Sequence, residues 1–169
     1  LEWGLVVECD GLTVWNQVDT AQGGPEGVRR TLRAAGEALG VGELRPDLAL
    51  VRWQPLKEVD AVLARDLGFP FTEYATVIEE VAALGARAIV PSAAGAVHRG
   101  AYEFMNRHVH PVPEARFLRD MGVRCPDVRL FSNSTGARYR VEPDNIVMEE
   151  GAGKAFVSVV SHGPDPRVF

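Results

Sequence analysis

Hydrophobic and polar positions along the chain alternate between a pattern typical of strands and one typical of helices. Residues 5–18 form two apolar runs on either side of Asp10-Gly11, a dipeptide that favours a tight hairpin turn. Residues 25–39 then place apolar side chains at helical spacing, and Pro25 suits the first turn of a helix. The start of the chain is therefore predicted to be a β-hairpin followed by a helix.

The alternation continues through the middle of the chain. Residues 47–51 are a short apolar run, as in a central strand that is covered on both faces. Residues 73–84 carry apolar side chains on one helical face, with Thr72 as the expected N-cap, and residues 86–91 predict the next strand. The intervening residues 52–70 are irregular and predict a loop or lid. This β-α-β-α-β order predicts an α/β layered fold.

The periodicity changes after this strand. The small residues Ser92 to Gly95 follow its carboxyl end, where α/β proteins usually carry their chemistry. Two helices are then predicted at residues 102–107 and 113–121, and four strands at residues 128–131, 138–141, 146–148 and 156–160.

Length and charge restrict the function classes. A chain of 169 residues is long enough for one domain with a substantial core. The net charge is −5 and no basic stripe is present, so we expect no nucleic-acid partner. No apolar run reaches the roughly 20 residues that span a bilayer, and no secretory leader is recognisable, so we expect a cytoplasmic protein without a membrane partner. Cys9 and Cys125 form no metal-ligand pair, and Cys9 is predicted to be a small buried hydrophobe.

Asp19 is the most informative polar residue. It follows the predicted second strand and faces a loop that contains Gly23 and Gly24. A carboxylate at the end of a buried strand is well placed to hold a metal ion or to orient a substrate. A helix-capping or turn aspartate fits the same spacing, so both interpretations stay open.

Three segments resemble the metallo-β-lactamase superfamily. Residues 6–20 (VVECDGLTVWNQVDT) resemble its substrate-facing hairpin ending in Asp-Thr, residues 46–50 its next strand, and residues 83–91 its last core strand. The resemblance covers residues 1–95 and is to the branch of ascorbate-6-phosphate lactonases and N-acylphosphatidylethanolamine phospholipases D. Residues 96–169 form a family-variable tail of the same single domain, similar to the lactamase-like part of CMP-N-acetylneuraminate hydroxylases, which a Rieske iron–sulfur domain accompanies.

This resemblance implies an α/β fold of the αββα sandwich type, of which the chain would be the C-terminal half. It also implies that Asp19 bridges two divalent ions, zinc, iron or manganese, which lower the pKa of a bridging water. The family's H-x-H-x-D-H motif is absent from this sequence. We expect it upstream of Leu1, in another segment or chain that supplies the first half of the fold. In the family the last ligand histidine usually follows the last core strand. This sequence has Ser92-Ala93-Ala94 at those positions instead.

Three histidines are candidates for the missing metal ligand. His98 lies on the stretch after Ser92, and His108 and His110 form an H-x-H pair. With Glu103 they would complete a carboxylate–imidazole set around Asp19. The alternative is that all three are surface or interface histidines.

Candidate substrate-binding residues follow the third predicted strand. Arg52 and Trp53 lie at its carboxyl end, where they could line a pocket, and an arginine there suits an anionic substrate. A tryptophan on a strand is more often part of the core than a platform for a ligand. No catalytic residue is assigned.

Three functions remain open. The favoured one is a metal-dependent hydrolase that acts on a small anionic or ester or lactone substrate. The alternatives are a metal-poor lactamase-like module that partners a Rieske-type oxygenase, and a non-catalytic domain that binds a small molecule. Asp19-Thr20 favours the hydrolase, whereas Ser92-Ala93-Ala94 favours the other two.

Overall fold

The computed structural model describes residues 4–17, 20–65, 68–93, 98–133 and 136–149. In these ranges the chain forms strands, α-helices and one 3-10 helix. In chain order they are β1 (Leu5–Cys9), β2 (Leu12–Asn16), α1 (Pro25–Leu39), β3 (Leu48–Arg52), α2 (Glu58–Val62), α3 (Phe71–Ala83), β4 (Ala88–Ala93), the 3-10 helix Gly100–Met105, α4 (Asn106–Val109), α5 (Glu114–Arg124), β5 (Arg129–Leu130), β6 (Arg138–Val141) and β7 (Ile146–Glu149).

The first two strands form the predicted hairpin. β1 and β2 are antiparallel, with Val7 opposite Val14. Asp10 and Gly11 have φ angles of 52° and 79°. Both therefore lie in the left-handed region, as a two-residue type I′ turn requires. The prediction from the Asp-Gly dipeptide is confirmed.

The main sheet has five strands in the order β1-β2-β3-β4-β5, which is also their order in the sequence. β2, β3, β4 and β5 run parallel to one another, whereas β1 is antiparallel to β2. Helices connect the successive parallel strands, as parallel pairing demands. The predicted α/β class is thus confirmed. Residues after 96 also contribute to this layered fold, since β5 is the last strand of the sheet and α5 is the helix before it.

Helices α1, α3 and α5 cover one face of the sheet. Their apolar side chains form a single core with every second residue of the strands, as the alternation of side chains along a strand requires. This core includes Val28 and Leu32 of α1, Val77 and Val81 of α3, Phe117 and Met121 of α5, and Trp15, Ala49, Val51 and Ile89 of the sheet.

The opposite face of the sheet is covered by the β6–β7 hairpin over its central strands. Ile146 of β7 clusters there with Leu48, Ala88 and Val90. Over β1 no described element covers this face, since Leu5 and Val7 are 58% and 48% exposed. Among the described residues the sheet therefore has an exposed apolar area at its β1 end.

Cys9 lies at this open end, and the prediction that it is buried is wrong. It is exposed, because β1 is the edge strand and Leu5, Val7 and Cys9 face the uncovered side. Cys125 is half-buried, and burial raises the pKa of its thiol. We expect a thiol reagent such as 5,5′-dithiobis(2-nitrobenzoate) to modify Cys9 first and Cys125 slowly at neutral pH. Peptide mapping after partial modification would contradict this assignment if the label were found first on Cys125.

Helix α3 begins at Phe71 and not after Thr72. Pro70 is the N-cap and no side chain caps the helix, so the prediction of Thr72 as the cap is wrong. The ring of Phe69 packs on the ring of Tyr74, with 5.8 Å between ring centroids. This contact has the spacing of a hydrophobic staple, which fixes the chain's entry into a helix without a polar cap.

Other elements differ from the predictions in kind or in extent. The segment predicted as a loop, residues 52–70, contains the short helix α2. The helix predicted over residues 102–107 is a 3-10 helix that continues into α4. The strand predicted at residues 156–160 lies outside the described residues.

Candidate functional site

The carboxyl ends of the parallel strands meet at one edge of the sheet, where the predicted site residues were expected. Asp19 itself lies outside the described residues, between Gln17 and Thr20. These two neighbours are tied together, because the backbone N–H of Thr20 and the side-chain Nε2 of Gln17 donate to each other's carbonyl oxygen at 3.0 and 2.8 Å. Gln17 also donates its backbone N–H to the carbonyl oxygen of Leu50 on β3 at 2.9 Å. The start of the loop after β2 is therefore anchored on the sheet.

The end of the same loop is anchored on the helix layer. The backbone N–H of Gly24 donates to Oε1 of Glu80 at 2.7 Å. Gln22 packs so closely on α1 that a Cβ on Gly27 would lie 1.5 Å from the carbonyl oxygen of Gln22. The hydroxyl of Thr31 bridges the side chain of Gln22 and the carbonyl oxygen of Gly27, at 3.1 and 2.9 Å.

Arg52 lies at the carboxyl end of β3, but its guanidinium is paired inside the protein. Nη2 of Arg52 is 2.7 Å from Oε2 of Glu80, and the side chains are 18% and 3% exposed. Glu80 thus holds both Arg52 and the backbone of Gly24 with one carboxylate. This pair neutralises the positive charge of Arg52, so a role of Arg52 in binding an anionic substrate stays a prediction.

Trp53 is part of the core, with 3% of its surface exposed. Its Nε1 donates to the carbonyl oxygen of Val112 at 3.2 Å. The adjacent Gln54 accepts a hydrogen bond from the backbone N–H of Val112 at 2.8 Å. The two side chains therefore dock the segment before α5 onto the end of β3. A contact of Trp53 with substrate stays a prediction.

His98 and His110 are brought together. Their rings are nearly parallel, with an angle of 16° between planes and 6.3 Å between centroids. His110 is buried, and His98 is half-buried. Nε2 of His98 is itself buried, and none of the described residues hydrogen-bonds to it. The two imidazole rings are therefore stacked on each other.

A buried asparagine holds the backbone of His98. Oδ1 of Asn106 accepts from the backbone N–H of His98 at 2.7 Å, and Nδ2 of Asn106 donates to the carbonyl oxygen of His98 at 2.9 Å. Asn106 is 2% exposed. Both polar groups of the His98 main chain are therefore satisfied by a single side chain.

His108 is separated from this pair. It lines a different cavity, of about 400 Å³, together with Glu103, Phe104 and Arg107. His108 lies within α4, whereas His110 follows the end of that helix. Of the predicted ligands, the structure brings together His98 and His110 and places His108 and Glu103 elsewhere.

The donor atoms at the His98–His110 pair fit a divalent transition metal in part. Imidazole nitrogens suit zinc and iron, and a buried nitrogen without a hydrogen-bond partner is free to coordinate a cation. Within the described ranges, however, no group of three His, Cys, Asp or Glu side chains is placed to hold a metal ion. A third ligand would have to come from outside those ranges, as Asp19 would.

Sequence reasoning missed two residues that shape this edge. Glu80 had a detectable signal, since it falls among Val77, Val81 and Leu84 on the apolar face of α3. A charged residue on such a face needs a partner of opposite charge. Arg52, already a candidate site residue, was available as that partner. Asn106 had no signal, because its contacts are with the backbone of His98.

None of the helices in the described part of the chain is long and apolar enough to cross a membrane. No protein-family model, curated protein or solved structure matches the chain. Membership of the metallo-β-lactamase superfamily accordingly stays a prediction that rests on the resemblance of the segments quoted above.

Proposed function

We propose that this chain is the C-terminal half of a metal-dependent hydrolase with a metallo-β-lactamase-like αββα sandwich. Its substrate would be a small anionic, ester or lactone compound. One observation carries the proposal: the imidazoles of His98 and His110 lie together, with 6.3 Å between ring centroids. The buried Nε2 atom of His98 supports the proposal, because none of the described residues hydrogen-bonds to it.

In this proposal His98, His110 and Asp19 hold the cation. When bound, a divalent ion lowers the pKa of a coordinated water and so supplies a nucleophile at neutral pH. The chain's own residues orient the ligands. Gln17 and Glu80 anchor the two ends of the loop after β2, which carries Asp19. Asn106 fixes the main chain of His98.

A second part of the proposal concerns the uncovered face of the sheet. Helices cover one face, whereas Leu5 and Val7 remain largely exposed on the other. In an αββα sandwich a second sheet packs on that face. We therefore expect the segment or chain that supplies the first half of the fold to cover Leu5 and Val7. The small-molecule substrate would then bind between the two halves.

The test is the zinc affinity of the purified chain and of matched variants, by competition with a chromophoric chelator. We expect His98→Ala, His110→Ala and Asp19→Ala to weaken zinc binding by at least about 100-fold. Loss of a mere outer-shell partner costs about 10–100-fold in metal affinity, and loss of a ligand costs no less. His108→Ala is the control, because it removes a histidine two residues from His110 that lines another cavity.

Circular dichroism of each variant separates lost coordination from lost structure. A folded His98→Ala or His110→Ala chain with the zinc affinity of the unmodified chain would contradict the proposed site. Weakening by His108→Ala equal to that by His110→Ala would also contradict it. A chain that binds no zinc would favour the non-catalytic or oxygenase-partner interpretation.

A further inference from the structure

We propose that an exposed apolar surface on α2 and the neighbouring 3-10 helix binds the same surface of a second copy of this chain. This surface, the α2 surface, consists of six large apolar side chains that are each more than half exposed: Leu56, Val59, Val62, Leu63, Tyr102 and Phe104. The proposal goes beyond the proposed function, because it involves neither a metal nor a substrate.

Helix α2 is oriented with its larger apolar side chains outwards. A helix on the surface of a protein usually turns its apolar side chains to the core and its polar side chains to water. In α2 the small side chain of Ala61 packs inwards, against Met105 and Val109. Val59 and Val62 are instead 70% and 66% exposed. This helix therefore presents apolar surface to another molecule.

The 3-10 helix Gly100–Met105 extends this surface. The two elements adjoin, because Met105 at the end of the 3-10 helix packs on Ala61 of α2. Tyr102 and Phe104 on the 3-10 helix are 63% and 62% exposed. Half of the large apolar side chains that are exposed in the described part of the chain therefore lie on or directly beside these two elements.

The α2 surface is large enough for a dimer. At about 100 Å² for each side chain, the six present roughly 600 Å² of apolar surface. The largest apolar patch on a typical monomer is about 300–600 Å² and is often functional. About 65% of a homodimer interface is apolar, so the α2 surface corresponds to roughly 900 Å² of interface on each copy. Stable interfaces bury about 800 Å² per partner.

The charges around this surface favour a second copy over a membrane. Residues 56–65 and 99–107 carry four basic and three acidic side chains, whereas the whole chain has a net charge of −5. Two acidic chains repel each other, and the repulsion is least where the surfaces in contact carry both signs of charge. A surface that lies on an anionic membrane is instead rich in Lys and Arg. The near balance of charges therefore fits the same surface of another copy.

The α2 surface also offers both a projecting side chain and a recess. In a two-fold dimer a single surface supplies both, because each copy contributes the same patch. Tyr102 is the projecting side chain, since 63% of its surface is exposed. The recess is a cavity of about 400 Å³ lined by Glu103, Phe104, Arg107 and His108. Aromatic side chains are frequent anchors of interfaces, so we expect Tyr102 to enter this cavity of the second copy.

Sedimentation velocity of the purified chain at about 5–200 μM tests the proposal. We expect a dimer with twice the 18.4 kDa mass of the chain at the upper concentrations. Val59→Glu and Phe104→Glu should each raise the dimer dissociation constant by at least about 30-fold, because a two-fold interface contains each substitution twice. Val123→Glu is the matched control. Val123 is 82% exposed on α5 and lies outside the α2 surface, so the dissociation constant should stay unchanged.

Circular dichroism of each variant checks that the fold is retained, and Tyr102→Ala replaces a variant that does not fold. A chain that stays monomeric at about 200 μM would overturn the inference. A dimer that survives Val59→Glu and Phe104→Glu but dissociates in Val7→Glu would overturn it too, because the contact would then lie at β1. Flotation with phosphatidylcholine–phosphatidylserine vesicles that is lost in Val59→Glu would overturn it in favour of a membrane. None of these readouts involves zinc, so this inference and the proposed function fail independently.

Discussion

Glu80→Ala is expected to lower the free energy of unfolding by about 3–5 kcal/mol, the usual cost of removing one partner of a buried ion pair. The substitution leaves the Arg52 guanidinium, 18% exposed, without its carboxylate at 2.7 Å. It also removes the acceptor of the Gly24 N–H. Urea unfolding followed by circular dichroism measures the change.

Glu79→Ala is the matched control for this prediction. Glu79 precedes Glu80 on the same helix and pairs with Arg124 on α5, with both side chains about half exposed. Exposed ion pairs contribute little to stability. We expect the unfolding midpoint to change far less than in Glu80→Ala. Equal losses of unfolding free energy in the two variants would show that the buried Arg52–Glu80 pair stabilises the chain no more than an exposed pair does.

Gly27→Ala is expected to destabilise the chain by about 1–3 kcal/mol, the range for overpacking a close contact. The added Cβ would lie 1.5 Å from the carbonyl oxygen of Gln22 and 2.6 Å from its carbonyl carbon. Both are backbone atoms, so the loop after β2 must move away from α1. We therefore also expect faster amide hydrogen exchange in residues 20–24.

Gly122→Ala provides the control for a glycine inside a helix. Its nearest neighbour would be the Cδ1 atom of Leu130, at an ordinary contact distance of 3.7 Å. Alanine favours the helix over glycine, so we expect a gain of about 0.5–1 kcal/mol. If Gly27→Ala were as stable as Gly122→Ala, the close packing of the loop on α1 would be refuted.

Much of the α/β framework could be predicted from local pattern. Asp10-Gly11 favours only one kind of hairpin turn, and the Pro25–Leu39 helix has both a proline at its start and a glycine after its end. Such elements are determined by residues within a few positions of each other. Cys9 was predicted wrongly because its exposure depends on which strand lies at the edge of the sheet. No short segment encodes that position.

The candidate site depends still more on tertiary structure. Nothing in the sequence distinguishes His108 from His110 as the partner of His98, since the two are members of one H-x-H pair. The segment that carries His110 is held by long-range contacts, since Trp53 and Gln54 bind the backbone of Val112, and such contacts are not visible in the sequence. Asn106 was undetectable for the same reason, because it binds a backbone eight residues away.

The most direct test of the proposed metal site is a zinc titration of the unmodified chain followed by NMR of its imidazole nitrogens. The chain has four histidines, so each ring can be assigned and followed by itself. Our account predicts that the nitrogen signals of His98 and His110 shift together and saturate at one stoichiometry, while the other two histidines are unaffected. Signals of His98 and His110 that do not move at saturating zinc would contradict it.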